Sequence, residues 1–150
     1  MFSSEKALVD AFSSSLARHE SSFKHLCLVR EFQYPEGRSD LVGTSPGNEV
    51  VAFEAKLHKW RDALHQAYRN SFYAHYSYVI LPANRTKVAL QNRSEFERRG
   101  VGLCSVSHDG LGVEIDAPRK EPIRTWLTRD AVMATRQGLA LDSSEAEECR

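Results

Sequence analysis

RSDLVGTSPGNEVVAFEAK, residues 38–56, is the stretch that decides the fold. It reads as a short strand holding Asp40, a turn-forming segment TSPGN, and an apolar strand at 50–56 that holds Glu54 and Lys56. Side chains alternate along a strand, so Glu54 and Lys56 are predicted to point from the same face. If the two strands are neighbours, Asp40 and Glu54 lie close enough to share a divalent cation.

The rest of the chain predicts alternating helices and strands. A helix capped by Ser3 or Ser4 runs to about residue 19, and further helical patterns and strand patterns follow at 23–33, 38–43, 58–74, 76–81, 85–99, 101–106 and 111–116. Strand, helix and strand across 50–81 predict a right-handed crossover and a parallel pair. Asp109-Gly110 predicts a hairpin between the last two strands. Gly100 is predicted to end the helix before them.

The length of 150 residues predicts one main domain. We expect it to span residues 1–118. Residues 119–150 are expected to form a C-terminal extension, helical at about 128–137 and mobile at its end.

The composition indicates an ordinary globular protein, with 41% apolar and 27% charged residues. No apolar run approaches the roughly 20 residues of a membrane helix, and the N-terminus lacks the pattern of a signal peptide. A cytoplasmic location with no membrane partner is therefore expected. The net charge is zero, but residues 56–100 have nine basic and three acidic side chains. This segment is where a polyanion is expected to bind.

Two ionised carboxylates on one sheet edge are costly unless a cation neutralises them. Mg²⁺ is commonly bound through one or two carboxylates and substrate phosphate oxygens, so Asp40, Glu54 and the Ala55 backbone carbonyl form a candidate ligand set, with Mn²⁺ as a possible substitute for Mg²⁺. Lys56 is placed to hold or deprotonate a metal-bound water, or to pair with the phosphate. The alternative is an ordinary strand with solvated charges.

The outward side of the helix at 58–74 offers candidate nucleic-acid contacts. Such groups would contact phosphates and give affinity without sequence readout. The alternative is a solvated helix face. The candidates are Lys59, Arg61, Arg69, Asn70 and Tyr73.

Ser39-Asp40, Glu54-Ala55-Lys56 and Gln66 together resemble the PD-(D/E)XK nuclease superfamily. The family's proline is Ser39 here. The resemblance implies a restriction-endonuclease-like α/β fold, in which a mixed β-sheet core is flanked by helices in the order αβββαβ, with a further helix and a closing β-hairpin. It also implies Asp40 and Glu54 as metal ligands and Lys56 as the catalytic lysine.

Gln66 resembles the glutamine of the RecB-like branch, although that branch's tyrosine four residues later is Asn70 here. By the same resemblance, Glu5 or Glu31 is a candidate for an additional metal ligand. A helix cap and a strand ion pair are the alternatives for these two glutamates.

The expected function is that of a Mg²⁺-dependent nuclease that hydrolyses DNA phosphodiester bonds, with RNA the less favoured substrate. Sequence specificity would then come from loops, a homodimer or a partner protein. The alternative is a non-catalytic nucleic-acid-binding or regulatory module that retains the nuclease fold.

Overall fold

A six-stranded β-sheet lies at the centre of the computed structural model, which describes residues 2–18, 23 and 25–140. The strands lie in the sheet in the order of the chain: β1 (Cys27–Tyr34), β2 (Gly37–Thr44), β3 (Val50–Ala55), β4 (Tyr76–Pro82), β5 (Gly102–Ser107) and β6 (Gly110–Ile115). The helices are α1 (Glu5–Arg18), α2 (Trp60–Asn70), α3 (Thr86–Gln91), α4 (Arg93–Arg99) and α5 (Thr125–Ala140), and a single 3-10 turn (Ala83–Arg85) precedes α3.

The sheet is mixed. β1, β2 and β3 form an antiparallel meander, β3, β4 and β5 run parallel, and β6 returns antiparallel to β5. Parallel neighbours need a crossover connection, which α2 supplies between β3 and β4. The predicted parallel pair and the predicted hairpin are both confirmed. The chain therefore has an α/β fold with a mixed sheet flanked by helices, and none of the described helices is long and apolar enough to cross a membrane.

The two faces of β3 pack against different helices. Phe53 points to the α1 side, where its ring lies 4.9 Å from that of Phe12 between centroids. Val50 and Ala52 point to the other side and pack in a cluster with Leu127 of α5. This alternation is the one predicted for residues 50–56. Each large apolar side chain buried in this way contributes about 1.5–3 kcal/mol to folding.

The start of α1 also follows the prediction. The Ser4 side-chain oxygen accepts a hydrogen bond from the Ala7 backbone N–H at 3.0 Å, and Ser4 therefore caps the helix. Glu5 lies in the first turn, where a negative charge suits the helix dipole.

The single helix predicted at 85–99 is wrong, because the segment divides into the 3-10 turn, α3 and α4. Asn92 separates the last two with non-helical dihedrals, φ −113° and ψ 32°. Its side-chain amide donates to the Val88 carbonyl at 2.9 Å, which is the local bonding by which asparagine competes with a continuous helix. Gly100 ends α4 in a left-handed conformation with φ 67°, as predicted.

The C-terminal helix α5 is longer than the predicted 128–137 and packs on β1 and β2. Leu127 and Ala131 are buried in the same cluster as Phe32 of β1. The hydroxyls of Thr44 and Thr135 are hydrogen bonded at 2.8 Å and join β2 to α5. The helix thus shares a core with the sheet, while the predicted mobile end, residues 141–150, lies outside the described residues.

Candidate functional site

The antiparallel register of β2 and β3 brings the two candidate carboxylates together. Leu41 pairs with Phe53, and the same register places Asp40 opposite Glu54. Directly opposite residues point from the same face of an antiparallel pair. One Asp40 carboxylate oxygen accepts a hydrogen bond from the Ala55 backbone N–H at 2.9 Å, and this contact fixes the Asp40 side chain at the end of β3.

Both carboxylates line a pocket of about 510 Å³ between β2, β3, the start of α1 and α2. Polar and charged side chains dominate its wall, so it suits a charged ligand better than an apolar one. The lining residues are Glu5, Gln33, Tyr34, Gly37, Arg38, Asp40, Glu54, Lys56, Gln66 and Arg69.

Glu54 is almost completely buried, with 1% of its surface exposed. Burial and then the neighbouring negative charge of Asp40 raise the pKa of Glu54 to about 9, and the hydrogen bond from Asn70 only partly offsets this rise. The carboxyl group is therefore protonated at neutral pH unless a positive charge arrives. This is the behaviour of an acid built to meet a cation or to exchange a proton.

A buried hydrogen-bond network holds Glu54. The Asn70 side-chain nitrogen donates to Glu54 Oε1 at 3.0 Å. Asn70 Oδ1 in turn accepts from the hydroxyls of Ser39 at 2.7 Å and Tyr34 at 2.9 Å. The Ser39 hydroxyl also lies 2.6 Å from that of Tyr73. Two donors on Oδ1 fix the orientation of the amide, so Asn70 must present its N–H group to Glu54.

The expectation that Asn70 and Tyr73 face outward to nucleic acid is wrong, because both are fully buried. Asn70 follows Ala63 and Ala67 by seven and three residues, and all three side chains lie on the buried stripe of α2. Tyr73 lies beyond the end of α2 and turns back into the core. The spacing from Ala63 and Ala67 was the sequence signal for Asn70; the hydrogen bonds among Ser39, Tyr34 and Asn70 had none, because they join distant segments.

The remaining residues of the predicted motif reach the pocket from three elements. Lys56 follows the last residue of β3, and its backbone N–H donates to the Ile80 carbonyl at 3.2 Å. Gln66 comes from α2, and Glu5 comes from the first turn of α1. The structure therefore gathers Glu5, Lys56 and Gln66 around the Asp40 and Glu54 pair.

Glu31 lies elsewhere. Its side chain is 66% exposed and forms an ion pair with Arg38 at 3.5 Å. Its backbone is left-handed, with φ 54°, at the point where the register passes from Arg30↔Leu41 to Phe32↔Ser39. Of the two glutamates considered as an additional ligand, only Glu5 lines the pocket.

The basic candidates on α2 also divide. Arg69 lines the pocket and donates to the Glu36 carbonyl at 2.8 Å. Arg61 lies over the Trp60 ring and forms an ion pair with Glu95 at 2.9 Å, away from the pocket lining. Lys59 is exposed just before the helix. The pocket thus has Arg38, Lys56 and Arg69 as its positive charges.

Comparison with known proteins gives a relative for the fold alone. No family model matches the chain, and no curated protein matches it. A solved protein of unknown function from Silicibacter pomeroyi is similar, with a TM-score of 0.58 and 19% sequence identity over 91% of this chain and 92% of that one.

The donor set fits a small hard cation. In the described part of the chain, no group of three or more His, Cys, Asp or Glu side chains is gathered tightly enough to hold a metal. Mg²⁺ needs only one or two carboxylates when waters and substrate oxygens complete its shell. Asp40 and Glu54 meet that requirement, and the raised pKa of Glu54 shows that negative charge in this pocket lacks compensation.

Proposed function

We propose that this protein is a metal-dependent nuclease of the PD-(D/E)XK type that hydrolyses DNA phosphodiester bonds. The observation on which the proposal rests is the meeting of Asp40, Glu54 and Lys56 in one polar pocket, with Glu54 buried against Asp40. The order of elements, αβββαβ followed by further helices and a hairpin, agrees with the restriction-endonuclease-like fold that the sequence resemblance implies.

Asp40, Glu54 and the Ala55 carbonyl would hold Mg²⁺ or Mn²⁺. Bound there, the ion would lower the pKa of a water molecule and offset the negative charge that develops on the phosphorus oxygens.

The protein's own groups prepare this chemistry. The Ala55 N–H holds the Asp40 carboxylate, and the Asn70 amide holds Glu54. Lys56 would orient the attacking water and accept its proton, or pair with the phosphate being cleaved. Gln66 lines the same pocket and would help to position the substrate.

DNA is the favoured substrate. Arg38 and Arg69 line the pocket and can contact phosphates on either side of the bond that is cleaved. Exposed Lys59 extends this positive surface. Contacts of this kind bind any sequence, so selectivity would have to come from loops, a second copy or a partner protein.

The decisive experiment compares wild-type protein with Lys56→Ala on plasmid and linear DNA, with Mg²⁺, with Mn²⁺ and with chelator. Lys87→Ala is the matched control, because Lys87 is an exposed lysine on α3 that does not line the pocket. We expect metal-dependent cleavage that falls about 100-fold or more in Lys56→Ala, as is typical when a positioned acid–base group is removed, and is unchanged in Lys87→Ala.

Two results would contradict the proposal: no cleavage with either metal, or equal cleavage by Lys56→Ala and wild type. Metal-independent DNA binding without cleavage would favour a binding or regulatory module instead. An RNA substrate in parallel reactions tests the preference for DNA.

A further inference from the structure

The outward face of α5 and the turn before it leave large apolar side chains in solvent. Ile123 is 76% exposed, Trp126 47% and Met133 57%. The opposite face of the same helix is buried against the sheet through Leu127 and Ala131. The described part of the chain therefore uses only one side of α5, and the other side presents an apolar stripe.

Charges lie between the apolar residues of this stripe. Trp126 and Met133 are seven residues apart, so they lie two turns apart on nearly the same line of the helix. Arg129 and Asp130 lie midway between them and are exposed. Neither forms an ion pair with any other residue in the described ranges.

We propose that this face binds the same face of a second copy of the chain, with the two α5 helices antiparallel about a two-fold axis between Arg129 and Asp130. Antiparallel helices related by such an axis place residues opposite each other when their numbers have the same sum. Trp126 then lies opposite Met133 of the second copy, and Arg129 lies opposite Asp130 of the second copy.

The pattern is self-complementary in both chemistry and charge. Each apolar residue meets an apolar one, and sulfur next to an aromatic ring is a favourable contact. Each charge meets its opposite twice, as a closed two-fold interface requires. A shift of one helical turn would remove both pairings, so the charges select the register.

The expected dimer is a weak one. A single helix face covers less area than the roughly 800 Å² per partner of a standard interface, so the association should depend on protein concentration. Tryptophan near the centre of a small interface often accounts for much of the binding energy. The inference does not depend on the proposed nuclease activity, since these residues lie outside the pocket.

Sedimentation of the full-length chain across a wide concentration range tests the proposal. Wild type is expected to pass from monomer to dimer as concentration rises. Arg129→Asp places carboxylates opposite carboxylates, and Asp130→Arg places guanidinium groups opposite guanidinium groups. Each variant is expected to raise the dissociation constant about tenfold or more.

Restoration of charge complementarity is the sharper test. The double variant Arg129→Asp/Asp130→Arg should dimerise again, and an equimolar mixture of the two single variants should form a heterodimer, because every Asp then faces an Arg. Lys87→Glu on α3 is the control charge reversal and should dimerise as wild type does. Circular dichroism checks that these exposed changes leave the fold intact.

A wild-type chain that stays monomeric at every concentration overturns the proposal. So does a dimer that persists unchanged in both single variants, or a mixture of the two that fails to associate.

Discussion

Glu54 has its carboxyl group on the buried face of β3, where an uncharged side chain would normally lie. The network through Asn70 satisfies its hydrogen-bonding capacity but supplies no positive charge. The proximity of Asp40 adds repulsion. The residue is therefore stable in the metal-free protein mainly as the neutral acid, and becomes a ligand when it loses its proton.

The raised pKa of Glu54 predicts how stability depends on pH. An unfolded glutamate releases its proton near pH 4.5, whereas folded Glu54 keeps it to about pH 9. Between these values the folded state binds more protons, so the free energy of unfolding should fall as pH rises, by up to about 1 kcal/mol per pH unit. Thermal denaturation of metal-free protein at a series of pH values measures this slope.

Glu54→Gln is the control for that prediction. Glutamine keeps an oxygen that can accept the Asn70 N–H but cannot ionise, so its stability should lose this pH dependence. Mg²⁺ should stabilise wild type increasingly as pH rises, because binding requires the deprotonated acid, and should leave Glu54→Gln unaffected. Parallel pH curves for the two proteins would refute the assignment.

Asn70 is predicted to be a positioning residue for Glu54. In Asn70→Ala the Glu54 carboxyl loses its oriented donor, and we expect cleavage or metal affinity to fall about 10–100-fold, the usual cost of losing a partner behind a metal ligand. Tyr34→Phe removes only one of two donors to Asn70 Oδ1 and should have a smaller effect. The readout is the Mg²⁺ concentration for half-maximal cleavage, which a change in stability alone would not move. An unchanged half-maximal concentration in Asn70→Ala would contradict this role.

At the scale of elements, local patterns predicted most of what the structure has. Alternation along β3, the glycine that ends α4 and the Asp-Gly hairpin between β5 and β6 each follow from short-range chemistry. The same alternation predicted that Glu54 and Lys56 share a face, and the structure has both in one pocket.

Contacts between distant segments could not be predicted in this way. Glu5 and Glu31 were equal candidates because only the fold places the start of α1 at the pocket and turns Glu31 toward Arg38. The break at Asn92 depends on one side chain bonding to the helix that contains it. The residues of the motif were thus predictable from the sequence, whereas the network behind them was not.

At the scale of the whole molecule, α5 completes one face of the sheet. Its buried residues Leu127, Ala131 and Thr135 cover β1 and β2, the strands next to and within the site. β2 holds Asp40, so loss of this cover would also disturb the pocket. The boundary expected from the sequence after residue 118 thus separates segments that share a core.

Removal of residues 119–150 is therefore predicted to abolish cooperative folding. The shortened chain would expose Phe32 and Val42, which pack beneath α5, and we expect it to bind a hydrophobic dye and lose its sharp thermal transition. Leu127→Ala in the full chain isolates one contact and should cost about 2–5 kcal/mol, because the side chain is 2% exposed. Gln137→Ala, on the exposed side of α5, is the matched control and should change stability by less than about 0.5 kcal/mol. A chain ending at residue 118 that unfolds as cooperatively as the full chain would show that the sheet is stable without α5.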